Sequence, residues 1–154
     1  MVDELRNPAL AELRFLVGEW EMTLSEASFL PDPDQTVTGR LGVETTETGT
    51  LVVMRHVPDA SGPSLASWVI GRDAAGPVYT VLYTDDRGVS RVYEMTLNGD
   101  DWRIWRNDPE FSQRFEATIS DDRGSITGRW EKRPAGSDWQ HDFNVVYARL
   151  HGQG

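Results

Sequence analysis

The chain has 154 residues, with 15 Lys and Arg against 25 Asp and Glu, a formal net charge of −10 and no cysteine. That length suits one domain, taken as 1–154 with a helix over about 8–16 and a barrel over about 18–150, large enough to bury its own core. The missing cysteine excludes disulfides, thiol catalysis and thiolate metal sites, and the acidic balance argues against nucleic acid, which requires a basic face, and disfavours anionic membranes.

The first residues, Met1-Val2-Asp3-Glu4, are acidic where a secretory signal would be basic, and no apolar core follows. No run approaches the ~20 apolar residues of a spanning helix. A cytoplasmic protein is the expectation. Asn7 and Pro8 start a short helix, the one as cap and the other at the first helical position. Leu10, Leu13, Leu16 and Val17 mark its apolar face, and Gly18 stops it.

From there the period is two. Trp20, Met22 and Leu24 alternate with polar residues, as in a half-buried strand. Pro31-Asp32-Pro33-Asp34 is a loop. Val37, Leu41 and Val43 form a second strand and Glu47-Thr48-Gly49 a turn. Leu51 to Val57 is a third strand, closed by Pro58 and a Ser61-Gly62-Pro63 loop. Leu65 to Arg72 and Val78 to Thr84 follow. Asp85-Asp86-Arg87-Gly88 turns the chain into Val89 to Leu97, and Asn98-Gly99 is the strongest hairpin signal. Trp102 to Arg106 ends at Asp108-Pro109. Phe111, Phe115, Ala117 and Ile119 share a face of the next strand. Ile126 to Lys132 and Trp139 to Leu150 come last. Strands at roughly 8–12-residue spacing, joined by turns and with no βαβ unit, predict an all-β antiparallel up-and-down barrel of about ten strands with one short N-terminal helix.

Leu13-Arg14-Phe15-Leu16-Val17-Gly18-Glu19-Trp20 runs a short helix into a Gly-x-Trp, and Val145-Val146-Tyr147-Ala148-Arg149 is a last strand carrying an Arg. This pairing resembles the calycin superfamily of lipocalins, fatty-acid-binding proteins and nitrobindin-like barrels. The stretches Leu82 to Met95, Phe111-Ser112-Gln113-Arg114-Phe115 and Gly128-Arg129-Trp130-Glu131 look like a bacterial lipocalin-like family of unknown function. The resemblance implies a barrel whose end is plugged by Trp20 with Arg149 packed over it. It implies no catalytic residue.

Six Trp, four Tyr and five Phe suit either a filled barrel or a pocket for an apolar molecule. Alternation turns Trp68, Tyr79, Tyr83, Tyr93, Trp130, Trp139 and Phe143 inward. Arg91 and Tyr93 share a face with Val89, Met95 and Leu97. That face is apolar at three of five positions, the other at one of four. An Arg there must be paired or meet water or an anion. With Gln113 it resembles, in chemistry though not in position, the carboxylate site of fatty-acid binders. His141 shares its alternation with Trp139, Phe143, Val145, Tyr147 and Arg149. His56 shares its own with Val52 and Met54 and reads as a core histidine. His151 lies in the Gly-rich tail.

The leading expectation is a binding barrel for a small hydrophobic or amphipathic molecule with an anionic or carbonyl end. Trp68, Tyr83, Tyr93, Phe115 and Trp130 would form its wall, and Arg91, Gln113 and His141 its polar contacts. A second reading is an isomerase, cyclase or hydrolase, with Tyr93 or His141 as acid or base and Arg91 stabilising negative charge. A third, haem on His141 as in nitrobindin-like barrels, is set aside because no second His faces it. A fourth is a filled barrel that self-associates or binds a partner protein. No metal site is expected, because the carboxylates lie mostly in turns and no His-x-x-x-His spacing exists.

Overall fold

The computed structural model describes residues 6–32, 34–46, 49–59 and 65–150. The Ser61-Gly62-Pro63 loop, Glu47-Thr48 of the second turn, Pro33 and His151 lie outside the described residues. Pro8–Leu16 is a 3₁₀ helix capped by Asn7, whose side chain accepts from the Ala9 N–H at 3.0 Å. Leu10, Leu13 and Leu16 recur every third residue, which matches three residues per turn, and all three are buried.

Ten strands follow among the described residues: β1 (Gly18–Ser25), β2 (Val37–Thr45), β3 (Val52–Pro58), β4 (Ala66–Arg72), β5 (Tyr79–Asp85), β6 (Ser90–Asn98), β7 (Asp101–Arg106), β8 (Phe111–Ile119), β9 (Ser125–Pro134) and β10 (Gln140–Arg149). Each pairs with the next, and β1 pairs antiparallel with β10, so the meander closes into a barrel. Closure leaves no sheet edge to template aggregation. The predicted all-β up-and-down barrel is the architecture observed. No helix among the described residues is long and apolar enough to cross a membrane.

One end is sealed where the first and last strands meet. Trp20 sits opposite Arg149 in the register. Its indole is fully buried and donates to the Leu16 carbonyl at 2.9 Å. The Arg149 guanidinium lies 4.2 Å from the centre of the indole ring and donates to the carbonyls of Phe15 and Val17. A cation at a helix C-terminus satisfies carbonyls that have no partner within the helix. Gly18 makes this approach feasible. Its φ is +131°, and a Cβ there would lie 3.1 Å from Arg149 Nη1.

Above this plug the inward rows of Leu41, Met54, Ile70, Met95, Trp102, Ile104 and Phe115 fill the barrel with fully buried side chains. The filling stops partway along the axis. Gly128 leaves the room that the Phe115 ring occupies, since a Cβ there would come within 2.7 Å of it.

Candidate functional site

The open half of the barrel, at the end opposite the helix, holds a cavity of about 590 Å³. Ligand pockets generally measure about 300–1,000 Å³. The floor is aromatic. Trp68 on β4 and Trp130 on β9 rise from strands five steps apart around the ten-stranded circle in either direction. They meet across the lumen, edge to face, with ring centroids 6.0 Å apart. Tyr83 and Tyr93 complete a ring of four with them. The successive distances are 6.5 Å from Trp68 to Tyr83, 6.3 Å to Tyr93 and 5.9 Å on to Trp130. Edge-to-face contacts of this kind satisfy the ring quadrupoles and stiffen the arrangement.

Of the residues expected at the site, Trp68, Tyr83, Arg91, Tyr93, Gln113 and Trp130 line the cavity. Phe115 and His141 are not among the lining residues. Phe115 faces inward but lies under the floor, 5.1 Å from the Trp130 ring and edge-on to Trp102 at 5.4 Å. Alternation sets the face of a residue and not its depth along the axis. His141 is displaced by a shift in register between His141 and Phe143, where β10 bulges against β9. The extra residue reverses the alternation. It buries Asp142 and brings Gln140 and Asp142 to the cavity in place of His141. Trp139 is turned outward for the same reason and is held between the guanidiniums of Arg114 at 4.0 Å and Arg133 at 5.0 Å. His141 therefore does not line the cavity.

Three cations line the cavity. Arg87 at the rim is paired with Asp85 at 2.7 Å. The Tyr83 hydroxyl donates to the same carboxylate at 2.6 Å. The hydrogen bond from Arg87 first, and that from Tyr83 after it, hold the Asp85 carboxyl well below the usual range, while burial and Asp85 push the Tyr83 hydroxyl up. Lys132 lies 3.7 Å from Asp142, and both bond to Ser28 on the loop after β1. Arg91 differs. It forms no ion pair among the described residues and rests 5.0 Å over the Phe111 ring, next to the Tyr93 hydroxyl. Tyr93 in turn donates to the Gln113 side-chain carbonyl. Burial raises the Tyr93 hydroxyl, with Arg91 acting against it. The phenol therefore stays protonated beside the Arg91 guanidinium.

The cavity residues absent from the expected set include His56 and Tyr147, hydrogen-bonded to each other at 2.9 Å. His56 alternates with Val52 and Met54, so its inward face was readable, but its height near the floor was not. Among the described residues no group of three His, Asp or Glu is placed to hold a metal ion.

The fold and cavity together define a class: closed ten-stranded antiparallel barrels, sealed at one end by a short helix and hollow at the other. The chain is similar in fold to the crystal structure of Rv2717c from M. tuberculosis. The TM-score is 0.64 at 14% sequence identity, over 94% of this chain and 98% of that one. At that identity the likeness shows the fold alone. No family model matches the chain, and no curated protein matches its sequence.

Proposed function

We propose that this chain is a calycin-like binding barrel that takes a small, mostly apolar molecule with an anionic or carbonyl end into its open half. Arg91 carries the reading. A half-buried guanidinium without a carboxylate partner among the described residues is costly to desolvate, and an anionic group on the ligand would offset that cost. Tyr93 and Gln113 stand beside it to orient the head group, and the Trp68–Trp130 floor and Tyr83 take the apolar body. The division of labour is that of small-molecule sites in general, apolar walls with few convergent polar groups.

The test is a titration of the purified protein with dodecanoate, followed by tryptophan fluorescence and by displacement of anilinonaphthalene sulfonate. Trp68 and Trp130 on the floor report occupancy directly. Saturable binding at one equivalent, with displacement of the dye, is expected. No change in tryptophan emission and no displacement would refute the proposal.

A further inference from the structure

The cavity is wide for its depth. Its lining runs from Ala66 to Trp68 on β4 and from Arg91 to Tyr93 on β6, two positions each, and from Pro134 at the rim to Trp130 on the floor of β9, four positions. Tyr147 is rooted deeper on β10, but its hydroxyl reaches up to His56, two positions below the rim residue Pro58. A strand rises about 3.3 Å per residue and barrel strands tilt by roughly 35–45°, so four positions amount to a depth of roughly 10 Å. A volume of about 590 Å³ over that depth gives a mean cross-section of about 60 Å², well above that of one extended alkyl chain.

The walls of this bowl are aromatic. Eight of the twenty described lining residues carry a Phe, Tyr or Trp ring, against Met22, Leu24 and Ala66 with open aliphatic side chains. The four rings of Trp68, Tyr83, Tyr93 and Trp130 brace one another edge to face, so the bowl resists narrowing around a thin chain. We propose that the ligand is a rigid fused-ring carboxylate, and that the site discriminates against linear acyl chains of comparable hydrophobicity. The anionic end rests on the Arg91 reading above; the ring rests on the shape and lining of the bowl. A flat ring system gains from aromatic walls more than its buried area alone supplies. A linear chain must coil to fill the same width and loses torsional freedom in doing so, a cost that a rigid ligand does not carry.

The experiment compares 1-pyrenecarboxylate with dodecanoate, two carboxylates of comparable hydrophobicity, by calorimetry on the full chain. The ring acid is expected to bind about tenfold tighter, the upper end of what one aromatic pair adds. Arg91→Ala should weaken both by about the same factor, because the two acids share the carboxylate. A readout independent of affinity is the nuclear Overhauser spectrum of the wild-type complex, in which the pyrene ring protons should contact the indole protons of Trp68 or Trp130. Dodecanoate binding as tightly as the ring acid, or more tightly, would overturn the inference. So would a ring acid that binds without touching either indole, or one whose affinity is indifferent to Arg91→Ala. Neither acid binding would overturn the Arg91 reading and this inference together. Arg91-dependent binding of both acids without a ring preference would overturn this one alone.

Discussion

Replacing Trp20 by Ala removes the plug of the sealed end. The indole is fully buried, and truncating such a side chain costs roughly 3–5 kcal/mol. Its N–H also holds the Leu16 carbonyl at 2.9 Å, and a buried acceptor left unsatisfied costs about 1–3 kcal/mol, part of it overlapping the first figure. A domain is stable by about 5–15 kcal/mol in all, so the variant sits near the edge of folding. At about 2–4 °C per kcal/mol for a chain of this size, Trp20→Ala should melt roughly 10–20 °C below wild type by circular dichroism. Arg149→Lys keeps the charge but gives up the planar stack at 4.2 Å, worth about 0.5–2 kcal/mol, and loses one of two carbonyl contacts. Its melting point should fall by a few degrees. Neither change should alter ligand preference in folded protein, because the plug and the cavity occupy opposite halves of the barrel. A Trp20→Ala variant melting within 2–3 °C of wild type, less than the shift of about one kcal/mol, would refute the argument that this contact closes the fold.

Other outcomes follow from particular residues. The His56 pKa of about 4 lies below its ordinary 6.5, so between those values the unfolded chain binds a proton that the folded chain does not. Stability is full above pH 6.5 and falls as pH drops towards 4, by about 2–4 kcal/mol. Urea denaturation across that window should show the loss in wild type and its absence in His56→Leu/Tyr147→Phe; parallel curves would contradict it. Gly128→Ala forces a methyl to 2.7 Å from the Phe115 ring, which is trapped between Trp102 and Trp130, and should cost about 1–3 kcal/mol in the same assay. Wild-type stability in that variant would mean the core is looser than described. The purified protein should be colourless, and haemin should give no Soret shift that His141→Ala abolishes.

Much of the barrel was legible because its signals are local. Trp20, Met22 and Leu24 show a face by alternation alone, and Asn98-Gly99 fixes a turn. The meeting of Trp20 with Arg149 follows from where β1 starts and β10 ends in a closed meander. The site was legible only in part. Arg91 could be turned inward by counting apolar neighbours, because β6 is regular along its length. His141 could not be placed, because the bulge before Phe143 arises from how β10 fits β9 and leaves no mark on residue type. Phe115 shows the other gap: whether a side chain on the inner face fills the core or lines the cavity depends on what stands above it, here Trp130.

The most direct measurement is the affinity of wild type and Arg91→Ala for dodecanoate and for dodecanol, which share a tail and differ at the head. A desolvated charge-assisted hydrogen bond contributes about 1.5–3 kcal/mol, or about one to two decades in affinity. Arg91→Ala is expected to weaken dodecanoate by that factor and to leave dodecanol within about twofold of wild type, a few tenths of a kcal/mol. An equal loss for both ligands, or none for dodecanoate, would contradict a cavity built around an anionic end at Arg91.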